Sequence, residues 1–297
     1  MNPDSDQLTR FHLQQQPIRG ALVQLQRSHL EALNGRDYPP SIRALLGQCL
    51  VATNLMAANL KQAASLTLQA RGQGQLQLLM AECVRRDDVH EVRAVARFNS
   101  ALTATSDSTP LTELLGKAQL AITIEPDGGQ RYQGIVAVDQ AQLGACLEQY
   151  FARSEQLPTK LQLFCTEDGA AGLLLQHMPA AGDSDPAALD DLWQELVTLA
   201  ATLSADEIIQ LPSDVILHRL FHQHHLALSP PRPVTFSCSC SRERTGRAVL
   251  YLDAREIDEI LDQTGHIALD CEFCSTRYRF TRADIERLLA EQTGSRH

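Results

Sequence analysis

Four cysteines in the last quarter of the chain constrain its fold more than any other feature: Cys238 and Cys240, then, after thirty residues, Cys271 and Cys274. Cys238-Ser239-Cys240 and Cys271-Glu272-Phe273-Cys274 are short chelating bites, each able to present two sulfurs to one ion. Two such bites that converge make a tetrahedral Zn²⁺ site of four thiolates. A module this small would draw much of its folding free energy from the metal. The first bite is the tighter one, because Ser239 alone separates its ligands and leaves the backbone little room to adjust. Arg242, Arg244, Arg247, Arg277 and Arg279 lie nearby in sequence and favour thiolates, whereas Asp270 and Glu272 flank Cys271 and oppose them. The other four cysteines, Cys49, Cys83, Cys146 and Cys165, are scattered singly and read as packing residues.

The chain of 297 residues carries 26 basic and 36 acidic side chains, a net charge of −10. That balance argues against a broadly basic nucleic-acid binder. The cysteine module supports the same conclusion: from Arg232 to His297 there are 10 arginines, no lysine and 11 acidic residues, a net of −1. No stretch approaches the roughly 18 to 20 apolar residues of a membrane span, so no membrane partner is expected. The N-terminus, Met1 to Gln7, has neither the basic start nor the apolar run of a secretion signal, and a cytosolic address is expected. In that reducing compartment eight thiols call for metal ligation, redox chemistry or burial rather than a permanent disulfide framework.

The pattern predicts an α+β protein in three parts: an N-terminal mixed sheet-and-helix domain over 1–179, a helical linker over 180–231 and a small C-terminal zinc-binding domain over 232–297. A helix starts at Pro39-Pro40-Ser41, with Ser41 as its cap, and carries Ile42, Leu45, Leu46, Cys49, Leu50, Met56 and Leu60. Strands alternate over 65–70, 75–79 and 119–124, the first two joined by the turn Arg71-Gly72-Gln73-Gly74. A strand over 134–138, a helix over 140–154 and a hairpin around Glu167-Asp168-Gly169 follow. Pro179 to Pro186 marks a boundary. Asp185-Pro186 opens a helix with the apolar stripe Leu189, Leu192, Trp193, Leu196, Leu199, Ala200 and Leu203, and Ser204 with Glu207 forms a capping box for the next. Helices this short depend on docking for their stability.

Three functional classes remain open on the residues alone. Zinc can simply staple a ribbon that binds a partner or regulates one. Alternatively, an oxidant that takes electrons from the thiolates also takes away the ligands, so that metal release and disulfide formation become one event; Cys238 with Cys240 and Cys271 with Cys274 are the local disulfides available. An enzyme is the least supported, since no nucleophile, carboxylate pair or phosphate loop stands out and Gly72-Gln73-Gly74 is too short to cradle a phosphate.

The run Cys238-Ser239-Cys240-Ser241-Arg242-Glu243-Arg244, with Cys271-Glu272-Phe273-Cys274 and the following Tyr278 and Phe280, resembles the heat shock protein 33 family of bacterial redox-regulated chaperones. The N-terminal part agrees independently at Arg131 to Val136, at Tyr150-Phe151-Ala152-Arg153-Ser154-Glu155-Gln156-Leu157-Pro158-Thr159 and at Leu174 to Pro179. The resemblance implies an ATP-independent holdase, not an enzyme, that is inactive when reduced and zinc-bound. Oxidative stress then activates it to bind unfolded or misfolded client proteins. It further implies that Cys271 and Cys274 pair first, that zinc leaves, that Cys238 and Cys240 then pair, and that the linker near Pro186 to Leu226 loosens in a form that is usually a homodimer. Exposure of Leu189, Leu192, Trp193 and Leu196 offers a physical route to client binding. This chain departs from the family at Lys117-Ala118, at Ser275 and at Phe221-His222-Gln223-His224-His225, where acidic residues are usual. His218, His222 and His225 are expected to share a helical, solvated face, with a second metal site as the lesser alternative.

Overall fold

The computed structural model describes residues 5–60, 62–99, 109–179 and 185–294. Met1 to Asp4 and residues 180–184, most of the boundary predicted between Pro179 and Pro186, lie outside these. The elements in chain order are β1 (Gln7–Leu13), β2 (Ile18–Leu25), α1 (Arg27–Leu33), α2 (Pro40–Ala57), β3 (Ala64–Gly72), β4 (Leu76–Arg86), β5 (Val89–Phe98), α3 (Leu111–Leu115), β6 (Ala118–Pro126), β7 (Tyr132–Ala137), α4 (Leu143–Tyr150), β8 (Thr159–Cys165) and β9 (Ala170–His177). Then come α5 (Pro186–Ala201), α6 (Ala205–Gln210), α7 (Ser213–Phe221), β10 (Leu226–Leu228), β11 (Arg232–Phe236), α8 (Arg242–Val249), α9 (Ala254–Thr264), β12 (Ile267–Asp270), β13 (Arg277–Phe280) and α10 (Arg282–Gly294). The fold is α+β, as the sequence pattern predicts.

The chain divides into two compact units, one of residues 1–33 and 37–237, the other of 34–36 and 238–297. Residues 185–231 group with the larger unit, and 232–236, placed by sequence with the cysteine module, form β11 in its sheet. The residues after Pro231 alternate as a strand should, and Val234 is buried.

In the larger unit the strands run β7-β6-β3-β4-β5-β11-β1-β2-β9-β8, with β10 beside β1. β11 joins the two halves, antiparallel to β1 over two residue pairs and parallel to β5 over three. α2 packs against β2, β8 and β9 of one half and β3, β4 and β5 of the other. All its residues except Pro40, Arg43 and Gln48 are buried, which is why apolar side chains occupy most of its circumference. Its N-cap is Pro39 with Pro40 in the first turn, so Ser41 sits inside the helix instead of capping it. The helix expected over 140–154 ends as α4 at Tyr150 and continues as a π-turn over Phe151–Glu155, closed by Gln156 at φ 55°.

The other face of β1, β2 and β9 is covered by α5, α6 and α7. Phe11, Leu13, Ile18, Leu22, Leu173 and Leu175 of the strands meet Leu196, Ala200, Ile208, Ile209, Ile216, Leu217 and Phe221 of the helices. β9 is therefore buried on both faces from Ala170 to Gln176, and its apolar run replaces alternation. The capping box at Ser204 and Glu207 is present, and Asp185 caps α5 ahead of Pro186.

One polar side chain ties these helices to the sheet. Gln24 of β2, 1% exposed, donates to the Ile208 carbonyl at 2.7 Å and the Leu211 carbonyl at 2.8 Å, and accepts from Ser213 Oγ at 2.8 Å. These bonds reach carbonyls at the end of α6, where the helix's own hydrogen-bond ladder runs out. Gln24→Ala is expected to cost about 2 to 4 kcal/mol by removing all three bonds. Amide exchange over α6 and α7 should rise before that of α2, and a urea midpoint equal to wild type would contradict this role.

Candidate metal centre

The sulfurs are positioned by two short loops of the smaller unit. Cys238 and Cys240 lie in the loop ahead of α8. Ser241 caps that helix by accepting from the Arg244 N–H at 3.1 Å. The Arg244 guanidinium turns back to Ser239, donating to its carbonyl at 3.1 Å and its Oγ at 2.8 Å, which pins the one-residue bite. Cys271 and Cys274 lie in the turn of the β12–β13 hairpin, where the Cys271 N–H donates to the Thr276 carbonyl and the Ser275 N–H to the Cys271 carbonyl, both at 2.9 Å. Ser275 takes a left-handed φ of 58°, and Arg277 closes the hairpin base with two bonds to Asp270 at 2.7 and 2.8 Å.

The four Sγ atoms lie within 4.8 Å of one another, and among the described residues they are the only such group of metal-ligating side chains. Cys238 and Cys271 are 3.6 Å apart, Cys240 and Cys274 3.4 Å. Zinc–sulfur bonds of about 2.3 Å at tetrahedral angles place sulfurs about 3.8 Å apart. The donor set therefore fits a tetrathiolate ion, and all four residues are half-buried, within reach of small solutes.

The electrostatics point the same way. Burial pushes the Cys238 thiol up to about 12, and burial also raises Cys240. At Cys274 burial is outweighed by hydrogen bonds with Thr276 and the neighbouring thiols, which bring it down to about 7. The Tyr278 phenol, bonded to Cys240, is pushed up to about 12. Four thiolates cannot share this space without a cation to offset their repulsion. The arginines are mostly committed elsewhere: Arg244 to Ser239, Arg277 to Asp270, and Arg242 to Asp284 and the face of Phe280. Arg277 also neutralises the carboxylate beside Cys271, holding Asp270 below its usual range. The sequence shows these charges but not their pairing.

Of the remaining cysteines, Cys49, Cys83 and Cys146 are fully buried, and burial raises all three thiols. Cys165 packs against the edge of the same core, as expected. It is half-buried with Sγ 3.5 Å from His29 Nε2, a neighbour 136 residues away in the chain. Leu189 and Leu196 are buried, and Leu192 and Trp193 pack against the same core, with the Trp193 ring stacked on His177 at 6.0 Å. α7 ends at Phe221, so His225 lies beyond the helix, off the expected face. His218 and His222 remain one turn apart with rings at 6.0 Å, and His224 contacts Glu195 at 3.2 Å. No helix among the described residues is long and apolar enough to cross a membrane.

Fold and site together define a two-unit α+β protein with a four-thiol, metal-compatible centre in its smaller unit. Residues 6–281 match the family profile described as Hsp33 protein. The 33 kDa chaperonin of Hahella chejuensis is 46% identical over 97% of this chain and 99% of its own length, and that of Shewanella sediminis 40% over 96% of each. The crystal structure of the 33 kDa chaperonin (heat shock protein 33 homolog) from Thermotoga maritima superposes with a TM-score of 0.76 at 20% identity, covering 97% of this chain and 99% of that one, a likeness that carries the fold. The chain belongs to the heat shock protein 33 family.

Because Cys238 and Cys240 hold their protons at neutral pH, a metal must displace them. Affinity should therefore fall as pH drops from 8 to 6, with protons released on binding, measured by calorimetry in buffers of different ionisation heat. An affinity independent of pH would contradict the ligand set. Replacing Cys271 and Cys274 by Ser should weaken binding by orders of magnitude, as read by competition with a chromogenic chelator.

Proposed function

We propose that this chain is a cytosolic, ATP-independent chaperone of the holdase type, inactive when reduced and zinc-bound and activated when its four clustered thiols are oxidised. The observation that carries the reading is the convergence of four half-buried sulfurs from two loops within 4.8 Å. Membership of a family whose relatives are named chaperonins supports the chaperone role. Cys238, Cys240, Cys271 and Cys274 are proposed as the ligands. Bound Zn²⁺ would supply the positive charge that lets four thiolates coexist.

Oxidation removes electrons and ligands together, as Cys271 pairs with Cys274 and Cys238 with Cys240. The smaller unit is poorly equipped to survive that loss. Its buried apolar side chains are Val249, Ile257, Leu261, Ile267, Phe280 and Ile285, too few for a core that stands without a staple. Only Ser237 separates Cys238 from β11, a strand held by a few residue pairs on each side. Unfolding that begins at Cys238 can thus propagate into the sheet and loosen α5–α7. The stripe Leu189, Leu192, Trp193 and Leu196, docked in the reduced form, would then become available to unfolded clients, with the oxidised protein acting as a homodimer.

The test is direct. Zinc-loaded protein treated with hydrogen peroxide at elevated temperature should release its zinc, form disulfides and gain the ability to suppress aggregation of a denatured client without ATP. Zinc retained, or zinc lost with no gain in suppression, overturns the proposal in favour of a ribbon with purely structural cysteines.

A further inference from the structure

Resting on the reading of the centre as an oxidisable zinc site, we propose that the Tyr278 hydroxyl sets how fast that centre is oxidised, by donating a hydrogen bond to Cys240 Sγ. The oxygen lies 3.1 Å from the sulfur. Tyr278 stands on β13 opposite Leu269, and its ring packs against the core of the smaller unit, so the hydroxyl is held in place instead of sampling solvent. It comes from the hairpin that carries Cys271 and Cys274, yet it reaches a sulfur of the other bite. The contact therefore crosses the centre, from the hairpin to the tight Cys238-Ser239-Cys240 loop.

The four sulfurs are consequently unequal. Cys240 has the Tyr278 phenol and Cys274 the Thr276 hydroxyl, also at 3.1 Å. Among the described residues no side-chain hydroxyl reaches Cys238 or Cys271. A thiolate lone pair that accepts a hydrogen bond is a weaker nucleophile toward an electrophilic oxidant, and outer-shell donors of this kind tune metal centres generally. With hydrogen peroxide, a thiolate sulfur attacks one oxygen and the O–O bond breaks, giving a sulfenic acid and, after protonation, water. A second thiolate attacks the sulfenic sulfur, the S–O bond breaks, and hydroxide leaves to become the second water. Two thiolates thus give up two electrons, peroxide is reduced to two waters, and one S–S bond forms. The phenol occupies the lone pair that Cys240 would use in either step. Tyr278 is a positioning residue in this scheme and takes no part in bond making.

The experiment uses the full chain, loaded with zinc or with Co²⁺, and compares wild type with Tyr278→Phe, which keeps the packed ring. Tyr251→Phe, at a position 92% exposed, serves as the neutral control. Peroxide-driven zinc release should be about 10-fold faster in Tyr278→Phe, the lower end of outer-shell effects. The sulfur-to-cobalt charge-transfer band should move to lower energy, and release to a chelator without oxidant should stay at the wild-type rate. Unchanged peroxide kinetics and an unmoved band overturn the inference while leaving the zinc reading intact. Equal acceleration with and without peroxide also overturns it, because the tyrosine would then only be holding the fold together. A wild-type protein that gives no tetrathiolate cobalt spectrum overturns the zinc reading itself, and the inference with it.

Discussion

Four sulfurs confined within 4.8 Å make the smaller unit conditional on what they bind. As thiols they are neutral and contribute little; as thiolates they repel one another; with a cation they become the strongest link between the Cys238–Cys240 loop and the β12–β13 hairpin. The apolar core around Phe280 and Val249 is too small to replace that link. Side-chain contacts around the sulfurs, Arg244 on Ser239 and Tyr278 on Cys240, set the geometry of the bite without supplying the charge.

The larger unit is organised differently, around a helix that cannot face water. α2 is buried on nearly all sides, and the two half-sheets joined by β11 enclose it. A second layer, α5 to α7, lies on the outer face of β1, β2 and β9 and is fastened by apolar packing and the Gln24 bonds. Those helices are short, so they keep their structure only while docked. A segment that is helical when packed and marginal when released is suited to being switched, and β11 connects it through the chain to the cysteine unit.

Much of this was legible in the residues. The spacing of Cys238, Cys240, Cys271 and Cys274 identified the centre, the Ser204–Glu207 box and Asp185-Pro186 identified helix starts, and the alternation over 65–79 identified the β3–β4 hairpin. What was illegible depends on partners distant in sequence. β11 was read as part of the cysteine module because its place in the sheet comes from pairing with β1 and β5. β9 did not alternate because helices cover both its faces. That His29 neighbours Cys165 and that the Tyr278 hydroxyl neighbours Cys240 emerges only once the fold brings those segments together.

By itself the sequence determined the ligand chemistry: thiols at chelating spacing, an acidic chain with a near-neutral cysteine module, and short amphipathic helices that need a surface. Those are local properties, carried by residue type and interval. Only the tertiary structure decided which sulfurs approach one another across the two bites, which arginines are neutralised by partners, and which hydroxyl caps which thiolate. Several of these pairings span more than 30 residues of chain, and the distances and angles that make a hydrogen bond or a coordination sphere exist only after folding has brought the segments together.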